Sequence, residues 1–382
     1  MKLDQTRARL AAEAGVSDLA SILRSQPVRV TDTIPVLNGR PFKNRPDSYS
    51  VRIFPAAGYV GFHATGFSGK SRFTGSGRFG MLLPESLRVN LRLGAVSPLV
   101  LKSGSRLKGV LMVKADPIFA GGILDGEIVK RKKTLPALDL AILNGEMREI
   151  DRILSNPAEL DTEYLGTICL EEGGTIRKNA YVTGSVIIED WEGTGILIAA
   201  SGRVYIQGRS RLTRCRIISS APITISDQAR LIDCRISSPE IAVGGEIFFS
   251  GTIITETLTM VGGKMDRTAI FVRGEDVNVR LNSGEITGCL VISGQGLVTV
   301  EPGLLFYGLI HSLVPISLTG TVEGYLFASE LYGDPIPDYP DIRNVLEGKV
   351  LPPSRDVIIP FIYPKTGTPV LLSPPQGYSG TG

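Results

Sequence analysis

The stretch Val204-Tyr205-Ile206-Gln207-Gly208-Arg209-Ser210-Arg211-Leu212-Thr213-Arg214-Cys215-Arg216-Ile217 decides how the rest of the chain reads. It contains two short apolar-x-apolar segments, 204–206 and 215–217, with glycine, serine and charged residues between them. Both recur. The first returns at 223–225, 241–243, 258–260, 277–279, 298–300 and 316–318, with starts 17 to 21 residues apart. The second returns in step at 234–236, 251–253, 269–271, 289–291 and 325–327, with 309–311 filling the gap. Segments this short cannot bury an apolar face alone, so successive periods must stack, one coil per period. The predicted fold class is mainly β: a right-handed parallel β-helix with an N-terminal α-helix, an N-terminal β-rich region and a Pro-rich C-terminal cap.

Outward from the repeat, five segments follow. Residues 1–26 read as a helix through Leu10, Ala14, Val16, Leu19, Ile22 and Leu23, with Ser17 able to cap a second piece after Gly15. Residues 27–140 are rich in Gly, Ser and Val with alternating runs at 87–93 and 109–113, a β-rich region packing on or extending the solenoid. Residues 141–165 form a helical connector through Glu146-Met147-Arg148-Glu149-Ile150, and 166–330 form the β-helix. In 331–382 prolines crowd in, 376–382 reads as a disordered tail, and the apolar 357–362 is expected to pack on the last turn.

Across 382 residues, 44 glycines and only 7% aromatics suit a turn-rich β protein large enough to bury a sizeable core. A formal charge of +3 is too near neutral for a nucleic-acid partner, and Lys130-Arg131-Lys132-Lys133 reads as a solvated loop. No run approaches the ~20 apolar residues that span a bilayer, and Met1-Lys2-Leu3-Asp4-Gln5 lacks a signal-peptide core, so the chain as given is expected to be soluble. Cys215 and Cys234 fall one coil apart, near the ~5 Å strand spacing. A disulfide is geometrically conceivable there, but a stack of buried thiols filling a narrow corner is the expected arrangement.

The middle residues of the first ladder, Tyr205, Thr224, Ala242, Thr259, Asn278, Thr299 and Ser317, make a polar outward face. In the second ladder the corresponding positions are Arg216, Arg235, Thr252, Ile270, Leu290, Ile310 and Leu326. The last four would form an apolar interface strip, covered by the N-terminal part of the chain or by a partner subunit. His311 then falls inward, and a one-residue slip turning Ile310 inward would account for it.

Chemistry is sparse. Ala64-Thr65-Gly66-Phe67-Ser68-Gly69-Lys70-Ser71 matches a permissive phosphate-loop pattern, yet no helix follows it. Two histidines and four cysteines without paired short spacing predict no metal site, and no cofactor is expected. Carboxylates that could serve a polysaccharide-active enzyme are Asp190, with Glu189 and Glu192 around Trp191, and Asp227 with Asp233 among Arg211, Arg214, Arg216, Arg230 and Arg235. The second group reads more simply as cross-rung ion pairing.

Two family resemblances are carried by particular residues. Gln5-Thr6-Arg7-Ala8-Arg9-Leu10-Ala11-Ala12-Glu13-Ala14-Gly15-Val16 resembles the start of the soluble part of prepilin-like proteins, the minor pilins of type IV pili and the pseudopilins of type II secretion. That resemblance implies a preceding membrane-spanning segment and a β-helix outside the cytoplasm. Ile286-Thr287-Gly288-Cys289-Leu290-Val291-Ile292 and residues 253–263 are similar to bactofilins, which implies a cytoskeletal β-helix that polymerises. The expected function is a non-enzymatic structural or binding β-helix of the cell envelope or surface, within a pilus-like or secretion assembly. The alternatives are a polysaccharide-active enzyme or glycan binder, and a cytosolic bactofilin-like polymer. Expected partners are proteins or further copies, or a polysaccharide. The compartment is the envelope or exterior if a membrane segment has been removed, and the cytoplasm otherwise.

Overall fold

The structure, a computed structural model, describes residues 2–25, 36–42, 44–56, 59–132, 135–174, 176, 179–334, 336–360, 362–363 and 375–381. The expectation for residues 27–35 lies outside these. Two compact units are present, one made of residues 1–87, 137–144 and 358–382, the other of 88–136 and 145–357.

In the first unit α1 (Lys2–Ser25) is one continuous helix rather than the two pieces that Ser17 suggested. It lies on an antiparallel sheet of β1 (Val36–Gly39), β2 (Ser48–Ala56), β3 (Tyr59–Ser68) and β4 (Ser71–Phe79), closed by a strand at Gln376–Thr381. The buried residues of α1, Ala8, Ala11, Ala12, Val16, Leu19 and Leu23, recur at three- and four-residue steps and so share one face. Small residues bring the backbones close: a Cβ on Gly66 of β3 would collide with the Ala8 carbonyl, and one on Gly15 would meet the Tyr49 ring at 2.6 Å. The Tyr49 hydroxyl donates to the Asp18 carboxylate, and burial, with that hydrogen bond second, pushes its pKa up to about 12. The tail expected to be disordered pairs with β4 through 376–381. In the apolar run near 360, Ile358–Ile359 pairs with β5 (Met81–Leu82).

The second unit is a parallel β-solenoid; the whole structure is mainly β, with about 13 turns and the N-terminal helix. The first ladder steps one coil at a time in register: Val204 pairs with Ile223, Ile223 with Ile241 and Ile241 with Leu258. Residues 88–130 continue the solenoid. β6 (Leu91–Leu93), β7 (Leu99–Lys102), β8 (Arg106–Val113), β9 (Ile118–Ala120) and β10 (Ile123–Lys130) are the final coils of the solenoid. Leu326 pairs with Leu91, Leu91 with Leu111, and β8 with β10. One coil is composite: Lys349–Leu351 and β6 both lie between Thr321–Ala328 and β8, although they come from opposite ends of the unit.

Buried asparagines fasten this join. Asn90 Nδ2 donates to the Gly324 carbonyl at 3.2 Å, while its Oδ1 accepts from the Val110 N–H at 3.2 Å. Asn344, fully buried, donates to Ser97 O at 2.7 Å and accepts from Leu331 N at 3.2 Å. Asn90 also occupies a corner column otherwise held by Gly288, Gly308, Gly324 and Gly109. Gly308 shows why glycine is needed: its φ is 139° and a Cβ would run into the Gly288 carbonyl.

Candidate functional site

The second ladder is out of register with the sequence alignment from residue 269 onward. Thr252 pairs with Ala269 and Ile253 with Ile270, so the outward residue of that coil is Ala269. Ile270, Leu290, Ile310 and Leu326 are fully buried members of the central core, and they form no interface strip. A shift of one residue exchanges the faces of a strand, and the register slip between Phe249 and Gly251, which lie opposite Met265 and Thr268, hides the shift from a count of residues. His311 accordingly points away from the core column that holds Ile310. Its ring meets Phe327 edge-on at 5.6 Å, and the Arg92 guanidinium lies 5.3 Å from the same Phe327 ring. Burial, then the Arg92 charge, lowers the His311 pKa to about 3.

The first ladder keeps its expected parity, with Tyr205, Thr224 and Thr299 part-exposed between buried neighbours. Cys215 and Cys234 are free buried thiols one coil apart. The hydrogen bond to Cys215, followed by burial, holds Cys234 well above the ordinary thiol range. Arg216 and Arg235 find their counter-charges on α2 (Ala141–Ser155): Arg216 Nη1 meets Glu149 at 2.6 Å and Arg235 Nη1 meets Glu146 at 3.2 Å. Asp227 and Asp233 therefore do not serve as their cross-rung partners.

The three candidate carboxylates sit at corners. Asp190, Asp227 and Asp233 have φ of 49°, 62° and 52°, the left-handed conformation that Asp tolerates better than most residues. Asp190 accepts from the Arg209 N–H at 2.6 Å and Asp227 from the Gly208 N–H at 3.0 Å, each tying one coil to the next. Asp190, Gly208, Asp227 and Gly245 stack in one corner column, whereas Asp233 lies at another corner, its N–H donating to Ser250 Oγ at 3.0 Å. The carboxylates do not converge. Trp191 is core, its indole Nε1 donating to Gly174 O at 2.6 Å. The phosphate-loop lookalike is the β3–β4 hairpin, with Ser68 opposite Ser71 across Gly69-Lys70. Lys130 ends β10 and pairs with Asp116 at 2.6 Å.

One concave feature lies at the composite end. A cleft of about 280 Å³ is lined by Gly104, Ser105, Arg106, Ile123, Lys349 and Leu351. Parallel register sets Lys349 beside Arg106 and Arg106 beside Ile123, so two cations stack on adjacent coils next to an apolar residue. Both cations are exposed, and Ile123 is 58% exposed. Sequence reading misses this cleft because Lys349 and Leu351 come from a segment far in the chain from residues 104–123.

No protein-family model matches the chain, and no curated protein matches it. Among solved structures it is similar to the competence-associated pilin ComZ from Thermus thermophilus, at 11% identity over 99% of this chain and 98% of that one, with a TM-score of 0.21. Nothing about this chain follows from a score that low. Among the described residues no helix is long and apolar enough to cross a membrane, and no group of three His, Cys, Asp or Glu is placed to hold a metal ion.

Proposed function

We propose that this protein is a non-enzymatic structural or binding element of a pilus-like or secretion assembly at the cell envelope. The observation that supports this most is the seating of α1. The helix whose residues resemble the start of prepilin-like proteins packs its Ala8, Ala11 and Ala12 face on the sheet. It leaves Leu3 and Leu10, seven residues apart, 62% and 47% exposed. Residues at that spacing share a helix face, and apolar ones left in water are suited to a neighbouring helix in an assembly.

Reading the native gene upstream of the Met1 codon tests the proposal. A segment of about 20 apolar residues behind a prepilin-type cleavage site is the expected result. A genuine start at Met1 would overturn it. In a host that carries such a gene, Leu3→Glu with Leu10→Glu should leave the purified chain folded and remove it from the assembly.

A further inference from the structure

We infer that the cleft at the composite end of the solenoid is a subsite for a uronate residue of an acidic polysaccharide. This goes beyond the proposed structural role and does not depend on it. Two carboxylates of the surrounding segments have partners of their own. Glu347 pairs with Lys102 at 2.6 Å, and Glu323 accepts from the Ser354 N–H at 3.0 Å. Asp125 sits in register beside Lys108. In the column that holds Lys349 and Arg106 the flanking residues are Thr321 and Ile123, neither of them acidic. Two cations on neighbouring coils, with no carboxylate in their own column, are a receptor for an anion. A guanidinium in particular matches a carboxylate in a bidentate fork.

The rest of the lining narrows the ligand. Ile123 and Leu351 offer an apolar surface beside the cations, which suits a ring with a hydrocarbon face and a carboxylate at its edge. At about 280 Å³ the cleft holds one or two sugar rings rather than an extended polymer. A nucleic acid would instead need a long basic track. Here Lys102 and Lys130 are tied to Glu347 and Asp116, and the whole chain carries only +3. Ser105 Oγ donates to Lys102 O at 2.6 Å, which holds the floor of the cleft in place.

The test is fluorescence anisotropy of the full chain with an end-labelled galacturonate trimer, at two salt concentrations. Saturable binding that weakens with salt is expected, and about tenfold loss of affinity in Arg106→Gln and in Lys349→Gln, since each removes a charge-assisted contact. Both side chains are exposed, so unchanged melting curves will show that the variants fold. The trimer with its carboxylates reduced to alcohols should bind at least about tenfold more weakly. Any of three results would overturn the inference: no saturable binding of the trimer, unchanged affinity in both variants, or a single-stranded oligonucleotide of equal charge binding as tightly as the trimer.

Discussion

The coils from residue 162 to 318 and the coils at the composite end share one core and one hydrogen-bonding pattern, but they are put together differently. In the first group each strand pairs with one about 18 residues away, as Val186 with Val204 and Val204 with Ile223. At the composite end Leu326 pairs with Leu91, and Val350 with Leu107. Closing those two joins orders a much longer loop, whereas the steps within this end, Leu91 to Leu111 and Arg106 to Ile123, are as short as the regular ones. The difference teaches that regularity and locality are separable: both groups stack in parallel register, but the composite end also takes in joins between segments far apart in the chain. It also explains why polar clips gather at the join. A buried asparagine that bonds only when both segments are present specifies the pairing, where an aliphatic residue would tolerate a shift.

The comparison is broken most severely by a charge in either core. Leu290→Asp places a carboxylate in a fully buried position of the continuous coils and should cost roughly 4–5 kcal/mol, with cooperative loss of the solenoid. Leu107→Asp is the matched change at the composite end. Hydrogen exchange should show protection lost there in residues 88–130 and 344–351 while residues 186–260 keep theirs. Equal loss in both regions would mean that the two groups are one cooperative block.

Asn90→Ala should destabilise by about 2–3 kcal/mol in a denaturant titration, because two buried backbone partners are left unsatisfied. His311 gives a pH test of the same end, since its ring packs on Phe327, whose coil pairs with β6. Its folded pKa is depressed, so the unfolded chain binds the proton more readily. Stability is complete above the ordinary histidine value near 6.5 and falls as pH drops toward the folded value of about 3. By pH 4.5 the loss should be roughly 2–3 kcal/mol, and His311→Leu should flatten that part of the stability profile.

The smallest effect is expected at the regular corners. Asp227→Ala should cost about 1 kcal/mol, through the lost Gly208 contact and the left-handed backbone, while Asp227→Asn should be nearly silent. If Asp227→Asn removed a measurable polysaccharide-cleaving activity, the structural reading of that corner would fail.

Much of the fold was legible because it repeats. Two phase-locked ladders implied the stacked coils, and apolar steps in residues 1–26 implied α1. The glycine and aspartate corners explain why charged residues gather beside Trp191 without forming a site. The polarity of the second ladder was misread because the alignment assumed a constant phase. Between Phe249–Gly251 and Met265–Thr268 the coil gains one residue, and that is enough to turn the other side of the strand toward the core. The Arg106 and Lys349 cleft was not legible at all, since its cations lie 243 positions apart in the chain and meet only by register.

By itself, then, the sequence determined the solenoid, its polar first-ladder face and the N-terminal helix, because burial of alternating or helical apolar residues is a local, periodic constraint. Tertiary structure alone decided which coils residues 88–130 would extend, that the last residues would close an antiparallel sheet, and which side of the second ladder would face the core. Those outcomes depend on backbone pairing between segments far apart in the chain, and backbone hydrogen-bonding groups are the same in every residue but proline, so their partners leave no mark in the sequence.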